Sequence, residues 1–107
     1  MKLVSVQELN QWMSSENDSF QLVDVREPYE LEICSLNAIH IPMGEIITRI
    51  KELKNNVKTC VLCKSGRRAA AVANLLETDF GFKDIHVVDG GIIAYATKID
   101  KNLEIYE

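Results

Sequence analysis

Two short runs, Phe20–Val25 and Thr59–Leu62, are apolar at nearly every position instead of alternating. A strand with one wet face alternates; a strand covered on both faces does not. Leu3–Ser5, Ala38–Ile41 (stopped by Pro42) and Ile85–Val88 read as further short strands. Helical patterns lie between them. Ser5-Val6-Gln7-Glu8 reads as a capping box that opens a helix with Val6, Leu9 and Met13 on one face. Pro28 suits the first turn of a helix over Pro28–Ile33. Gly44–Lys54 is expected as a helix with Ile46, Ile47, Ile50 and Leu53 on one face. Arg67–Thr78 follows with Val72, Leu75 and Leu76 inward, and Ile92–Ile99 closes the series after a Gly90-Gly91 turn. Ser14–Ser19 is a polar loop. Strands alternating with helices predict an α/β fold, a three-layer α/β/α arrangement around a mostly parallel five-stranded sheet. In such sheets the site lies beyond the carboxyl ends of the strands.

The chain of 107 residues has no internal repeat, low-complexity tract or linker, and reads as one domain over 1–107. At 47% hydrophobic and 26% charged it is composed like a globular protein, which argues against disorder. A formal net charge of −4 argues against a general nucleic-acid binder. Three cysteines, Cys34, Cys60 and Cys63, cannot form a complete disulfide framework. A lone CxxC pair with His40 and His86 at unrelated spacing offers too few ligands for a zinc site, so no metal is expected. Reduced thiols suit a cytoplasmic protein. No run approaches the roughly 18 apolar residues of a membrane span, and the first residues lack the apolar core of a signal peptide.

The chemistry concentrates in Cys63-Lys64-Ser65-Gly66-Arg67-Arg68. A buried strand ends, a glycine-containing loop follows, and a helix begins. A thiolate is the nucleophilic form of cysteine and needs positive surroundings. A helix N-terminus supplies unpaired N–H groups and a positive dipole end. Gly66 lets the backbone curl so that several N–H groups converge on one centre. Lys64, Arg67 and Arg68 form a basic cluster in an acidic protein. Cations at a helix N-terminus oppose its dipole, so as a plain solvated surface they would be mildly unfavourable. A bound anion removes the conflict.

These segments resemble a rhodanese-homology domain over nearly the whole chain. Leu22-Val23-Asp24-Val25-Arg26-Glu27 is similar to the family's "DVRE" strand end, and Tyr29-Glu30 to its following acidic turn. Cys63–Arg68 is similar to its active loop, Gly81-Phe82 to its "GF" segment, and Val88-Asp89-Gly90-Gly91-Ile92 to its "GGI" segment. Residues 32–34 and the tail 98–106 resemble the rhodanese domains fused to adenylyltransferases of molybdopterin and thiamine synthesis. The family's "GHIPGA" segment is shorter here, without its glycines and histidine, and Tyr95 stands where tryptophan is common.

The resemblance implies a sulfurtransferase of rhodanese type with Cys63 as catalytic residue. Sulfane sulfur would pass from thiosulfate or a protein persulfide, through a Cys63 persulfide, to a thiol acceptor. A cysteine desulfurase or a sulfur-carrier protein would be the protein partner, with no cofactor, membrane or nucleic acid needed. Lys64 would attract an anionic donor, Gly66 shape the ring, and Arg68 fix the loop or the anion, with Ser65 and Arg67 completing it. Related cysteine phosphatases use a longer Cys-x5-Arg loop; the Cys-x4-Arg spacing here favours a terminal sulfur over a phosphate. A non-turnover persulfide carrier and an inactive interaction module remain as alternatives.

The other candidates have plainer readings. Cys60 and Cys63 stand three apart around a strand end, on opposite faces and about 10 Å apart along the chain, beyond disulfide reach. Cys60 therefore reads as core, and Cys34 as structural or a second thiol. Asp24 and Arg26 read as an internal ion pair supporting the site, with Glu30 similar. His40 and His86 have no evident catalytic partner in sequence, and Trp12 and Tyr95 read as packing residues.

Overall fold

In a computed structural model describing residues 1–15 and 19–106, the chain builds one five-stranded sheet. The strands are β1 (Lys2–Val4), β2 (Phe20–Asp24), β3 (Ile39–His40), β4 (Lys58–Leu62) and β5 (Ile85–Val88). Their spatial order is β1-β5-β4-β2-β3, and every pairing is parallel. Four α-helices accompany them: α1 (Val6–Ser14), α2 (Pro28–Ile33), α3 (Arg67–Asp79) and α4 (Gly91–Lys98). Both faces of the sheet are covered, as the non-alternating, largely apolar runs lead one to expect.

The pleat divides each central strand between two cores. Val23, Val61, Ile85 and Val87 face α3 residues Ala69, Val72, Ala73 and Leu76. Leu22, Cys60, Leu62 and Val88 face the opposite layer with Val6, Leu9, Ile92 and Tyr95 of α1 and α4. Ser5 caps α1 as expected, its hydroxyl accepting from the Glu8 N–H at 3.1 Å. Val6 and Leu9 are buried, whereas Met13 is exposed. Trp12 packs edge-on against Phe20 and His86, and the Tyr95 hydroxyl donates to Asn10. Of the polar loop expected over Ser14–Ser19, Ser14 ends α1, and residues 16–18 lie outside the described residues.

The expected continuous helix over Gly44–Lys54 does not form. Two 3₁₀ turns, Met43–Glu45 and Ile50–Glu52, stand in its place. Ile46-Ile47-Thr48 is a run of β-branched residues, which lose side-chain freedom in a helix. The Thr48 hydroxyl donates to the Glu45 carbonyl at 3.1 Å, a local bond that competes with helix continuation. Arg49 then ties the segment together through Glu45, Glu52 and the His40 carbonyl. Ile46 and Leu53 are buried and Ile50 packs against the core, but Ile47 points outward, 63% exposed.

The strand order carries the functional geometry. Chain connections leave β2 toward β3 and leave β4 toward β5, in opposite directions. The loops following β2 and β4 therefore diverge, and a crevice opens between their carboxyl ends. Because α3 is held by its apolar stripe, Leu76→Ala should cost about 2–5 kcal/mol of stability. Urea unfolding should show this as a lower midpoint at unchanged slope.

Candidate active site

Cys63 ends β4 at that crevice, with its side chain on the α3 side of the sheet and only 1% exposed. Its sulfur accepts two backbone N–H groups, Gly66 at 3.0 Å and Ala69 at 3.4 Å. Gly66, the N-cap of α3, has φ +112°, a conformation that a side chain would strain. The chain thus curls back so that the unpaired amides of a helix N-terminus meet the sulfur, an arrangement that favours negative charge there.

A second helix start holds the loop from the other side. The Ile92 N–H donates to the Cys63 carbonyl at 2.9 Å, and the Ile93 N–H to the Lys64 carbonyl at 3.2 Å. Gly91 makes this approach possible. A Cβ on Gly91 would lie 2.6 Å from the Cys63 carbonyl oxygen and collide with the Lys64 carbonyl, and its φ is +60°. The Gly90-Gly91 segment is therefore a platform under the loop as well as a turn.

Ion pairs fix the loop laterally. Arg68 makes a two-pronged bond to Glu30, at 2.7 and 2.8 Å. Glu30 is itself buried, at the N-terminal turn of α2, where it also accepts the Glu27 N–H. The Arg68 guanidinium beside it holds the Glu30 carboxyl down at about 2, with the Glu27 amide and the Tyr106 hydroxyl adding to the effect and outweighing its burial. The Glu30 bonds in turn keep Arg68 firmly charged against its partial burial, and the Cys63 sulfur is close enough to add to this.

Arg26, completely buried, pairs with Asp24 at 2.8 Å and donates to the Cys34 carbonyl at 2.9 Å. Burial opposes the charge on Arg26, but the bonds to Asp24 and Tyr106 overcome it and hold it up. Tyr106 joins the two ion pairs: its hydroxyl lies 3.1 Å from Arg26 Nη1 and 2.7 Å from Glu30 Oε1.

The structure brings most of the sequence-predicted residues into this one region. Lys64 sits over the ring of Tyr106, its Nζ 5.1 Å from the centroid. Ser65, Gly66 and Arg67 line a depression of about 310 Å³ together with Met1, Leu3 and Val88. Asp24 and Arg26 form the expected ion pair behind the site, and Arg68 braces the loop through Glu30.

Cys60 stands in the other core, where burial pushes its thiol up to about 12. It is not placed to pair with Cys63, and all three cysteines are free. Cys34 is buried, 3.8 Å from Arg26 Nη1. His86 contacts Asp84 at 2.7 Å, an acidic neighbour two positions away that the sequence reading passed over, while His40 contacts the Arg26 carbonyl. Among the described residues no cluster of metal-ligating side chains occurs, and no helix is long and apolar enough to cross a membrane.

Sequence reasoning missed two contributions. Gly91 carried a legible signal in the doubled glycine before a helix, but its contact with the Cys63 carbonyl is tertiary. Tyr106, 38 residues beyond Arg68 in the numbering, offered no local signal at all.

A parallel α/β sheet with a cysteine loop between a strand end and a helix start defines the class, and sequence comparison defines the family. Residues 5–98 match the model of the Rhodanese-like domain, and the chain belongs to that family. It is 37% identical over 99% of its length to Rhodanese-like/PpiC domain-containing protein 12, chloroplastic, of Arabidopsis thaliana, covering 38% of that protein. It is 34% identical over 81% of its length to the putative sulfur carrier protein YrkF of Bacillus subtilis, covering 47% of it. The chain thus spans less than half the length of these curated relatives. Other curated relatives are adenylyltransferase and sulfurtransferase proteins, UBA4 of Candida glabrata at 29% identity over 79% of the chain among them. A solved rhodanese-like domain protein from Staphylococcus aureus matches end to end, with 31% identity, a TM-score of 0.80 and full coverage of both chains.

The Glu30–Arg68 pair sets an acid limit on stability. A carboxyl held near 2 when folded, against 4.5 ordinarily, stabilises the fold above about pH 4.5 and loses that contribution as pH falls toward 2. Glu30→Gln should be less stable than the wild type at pH 7 and should lack this part of the acid slope. Urea midpoints measured between pH 7 and pH 2 give the comparison.

Proposed function

We propose that the protein is a sulfurtransferase that carries sulfane sulfur as a persulfide on Cys63. The carrying observation is the Cys63 sulfur itself, met by the Gly66 N–H within the six-residue Cys63–Arg68 loop and by the Ala69 N–H just beyond it. With thiosulfate as donor, the Cys63 thiolate attacks the outer sulfur. A new S–S bond forms on Sγ, the donor's S–S bond breaks, and sulfite leaves with the electron pair. The persulfide's terminal charge is stabilised by the same amides. An acceptor thiolate then attacks the outer sulfur and releases the Cys63 thiolate, so ping-pong kinetics follow.

Lys64 and Arg67 are the cations that meet an anionic donor, while Arg68 braces the loop. Engagement of both Arg68 prongs by Glu30 speaks for sulfur and against phosphate, because a phosphate-binding loop needs its arginine free for the oxyanion. Reduced, unpaired cysteines fit work in the cytoplasm.

The burial of Cys63 favours one refinement. A thiol 1% exposed meets a bulky partner poorly, whereas a persulfide extends the reactive atom by about 2 Å, one S–S bond length. This supports delivery of sulfur to a protein acceptor or carrier, with a cysteine desulfurase as a donor of matching chemistry. Relatives named as a sulfur carrier and as sulfurtransferases point the same way.

Thiosulfate-dependent formation of thiocyanate from cyanide should be measurable, and Cys63→Ser should abolish it. If turnover is slow while a desulfurase with cysteine loads Cys63 rapidly, the carrier form of the proposal holds. Activity undiminished in Cys63→Ser would refute both forms.

A further inference from the structure

Tyr106 is a tail residue, yet it touches three charged groups around the Cys63 loop: Arg26, Glu30 and Lys64. Its hydroxyl accepts from Arg26 at 3.1 Å and donates to Glu30 at 2.7 Å. Glu30 is the carboxylate that grips Arg68 with both oxygens. The face of its ring carries two cations, Lys64 Nζ at 5.1 Å and the Arg26 guanidinium carbon at 5.9 Å from the centroid. A phenol here does two jobs that no single smaller side chain can do. The ring attracts cations through its quadrupole, and the hydroxyl supplies both a donor and an acceptor. The segment leading to Tyr106 is anchored too: Leu103 and Tyr106 pack against the core that contains Cys34 and Leu62.

We infer that Tyr106 is a positioning residue of the sulfur site. Its ring fixes the Lys64 ammonium beside the Cys63 loop, and its hydroxyl, through Glu30, fixes Arg68. The inference deepens the proposed function by assigning the selection of anionic donors to a Lys64 held in place by the tail. It rests on Cys63 being the reactive centre of that reading. Lys64 is adjacent to Cys63 and only partly exposed, and among the described residues it has no carboxylate partner. An unrestrained lysine spreads its charge over many rotamers. Held on a ring, it presents that charge in one place.

The test reads the site without requiring sulfur transfer. Iodoacetate and iodoacetamide alkylate the same thiol but differ in charge, so their rate ratio at Cys63 reports the local cation. Peptide mass spectrometry resolves Cys63 from Cys34 and Cys60, and Cys60, buried in the sheet core with its thiol pushed up to about 12, reports an intact fold by staying unalkylated. Tyr106→Leu should lower the iodoacetate-to-iodoacetamide ratio by about fivefold, the scale of one partly exposed cation contact. Tyr106→Phe should keep the wild-type ratio, because it keeps the ring. In a Lys64→Met background, Tyr106→Leu should have no further effect. A second reading addresses the hydroxyl. Tyr106→Phe removes one donor from Glu30, so the acid loss of stability that Glu30 contributes should be smaller and complete at higher pH than in the wild type.

An unchanged ratio in Tyr106→Leu, or an equal fall in the Lys64→Met background, overturns the role of the ring. An unchanged acid limb in Tyr106→Phe overturns that of the hydroxyl. A protein that shows these shifts but never takes up sulfur keeps the positioning role and loses the sulfurtransferase reading.

Discussion

Arg68 and Glu30 meet across the crevice between the loops that follow β4 and β2, and the site takes its shape from that bond. Glu30 is buried and pinned at the start of α2; Arg68 lies in the first turn of α3. Their contact locks the first turn of α3 against the end of the neighbouring strand. With that turn fixed, the Gly66 and Ala69 amides point at the Cys63 sulfur. A buried carboxylate is costly unless paired, so each partner requires the other. The Arg26–Asp24 pair behind them repeats the logic one layer deeper. Four charges that would be liabilities singly become the frame of an anion-favouring loop.

This frame explains how a basic loop can sit at a helix N-terminus in an acidic chain. One of its three cations is neutralised by Glu30 and one rests on an aromatic ring. Arg67 stays exposed at the rim of the depression beside the loop. The positive dipole end is thus directed at the sulfur while most of the formal charge is held laterally. The two helix starts act in opposite senses: α3 donates to the sulfur, and α4 donates to the carbonyls of Cys63 and Lys64. Between them the loop has few ways to move, which suits the persulfide-holding role proposed for it.

Much of this was legible in the sequence because it is local. The largely apolar, non-alternating runs at Phe20–Val25 and Thr59–Leu62 pointed to a sheet buried on both faces, and the alternation with helices pointed to parallel strands. Cys63, Gly66 and the helix start at Arg67 lie within one short segment, so their convergence followed from spacing alone. The separation of Cys60 from Cys63 followed from the pleat, and the two residues indeed face different cores. The failures have physical reasons as well. The helix expected over Gly44–Lys54 satisfied the apolar period but not the crowding of three β-branched residues. The sequence around Arg68 does not distinguish a loop brace from an anion ligand, since nothing in its neighbourhood names a partner 38 residues away. Tyr106 was invisible because its partners, Arg26, Glu30 and Lys64, are distant in sequence and are gathered only by the fold.

Cys63 is proposed to hold sulfur against the amides of its loop. Peptide-level mass spectrometry after incubation with thiosulfate, and separately with a desulfurase and cysteine, tests it most directly. One added sulfur atom is expected on the Cys63 peptide, removed by a thiol acceptor, with Cys34 and Cys60 unmodified. Sulfur on Cys34 or Cys60 with Cys63 left bare, or no added sulfur from either donor, would contradict it.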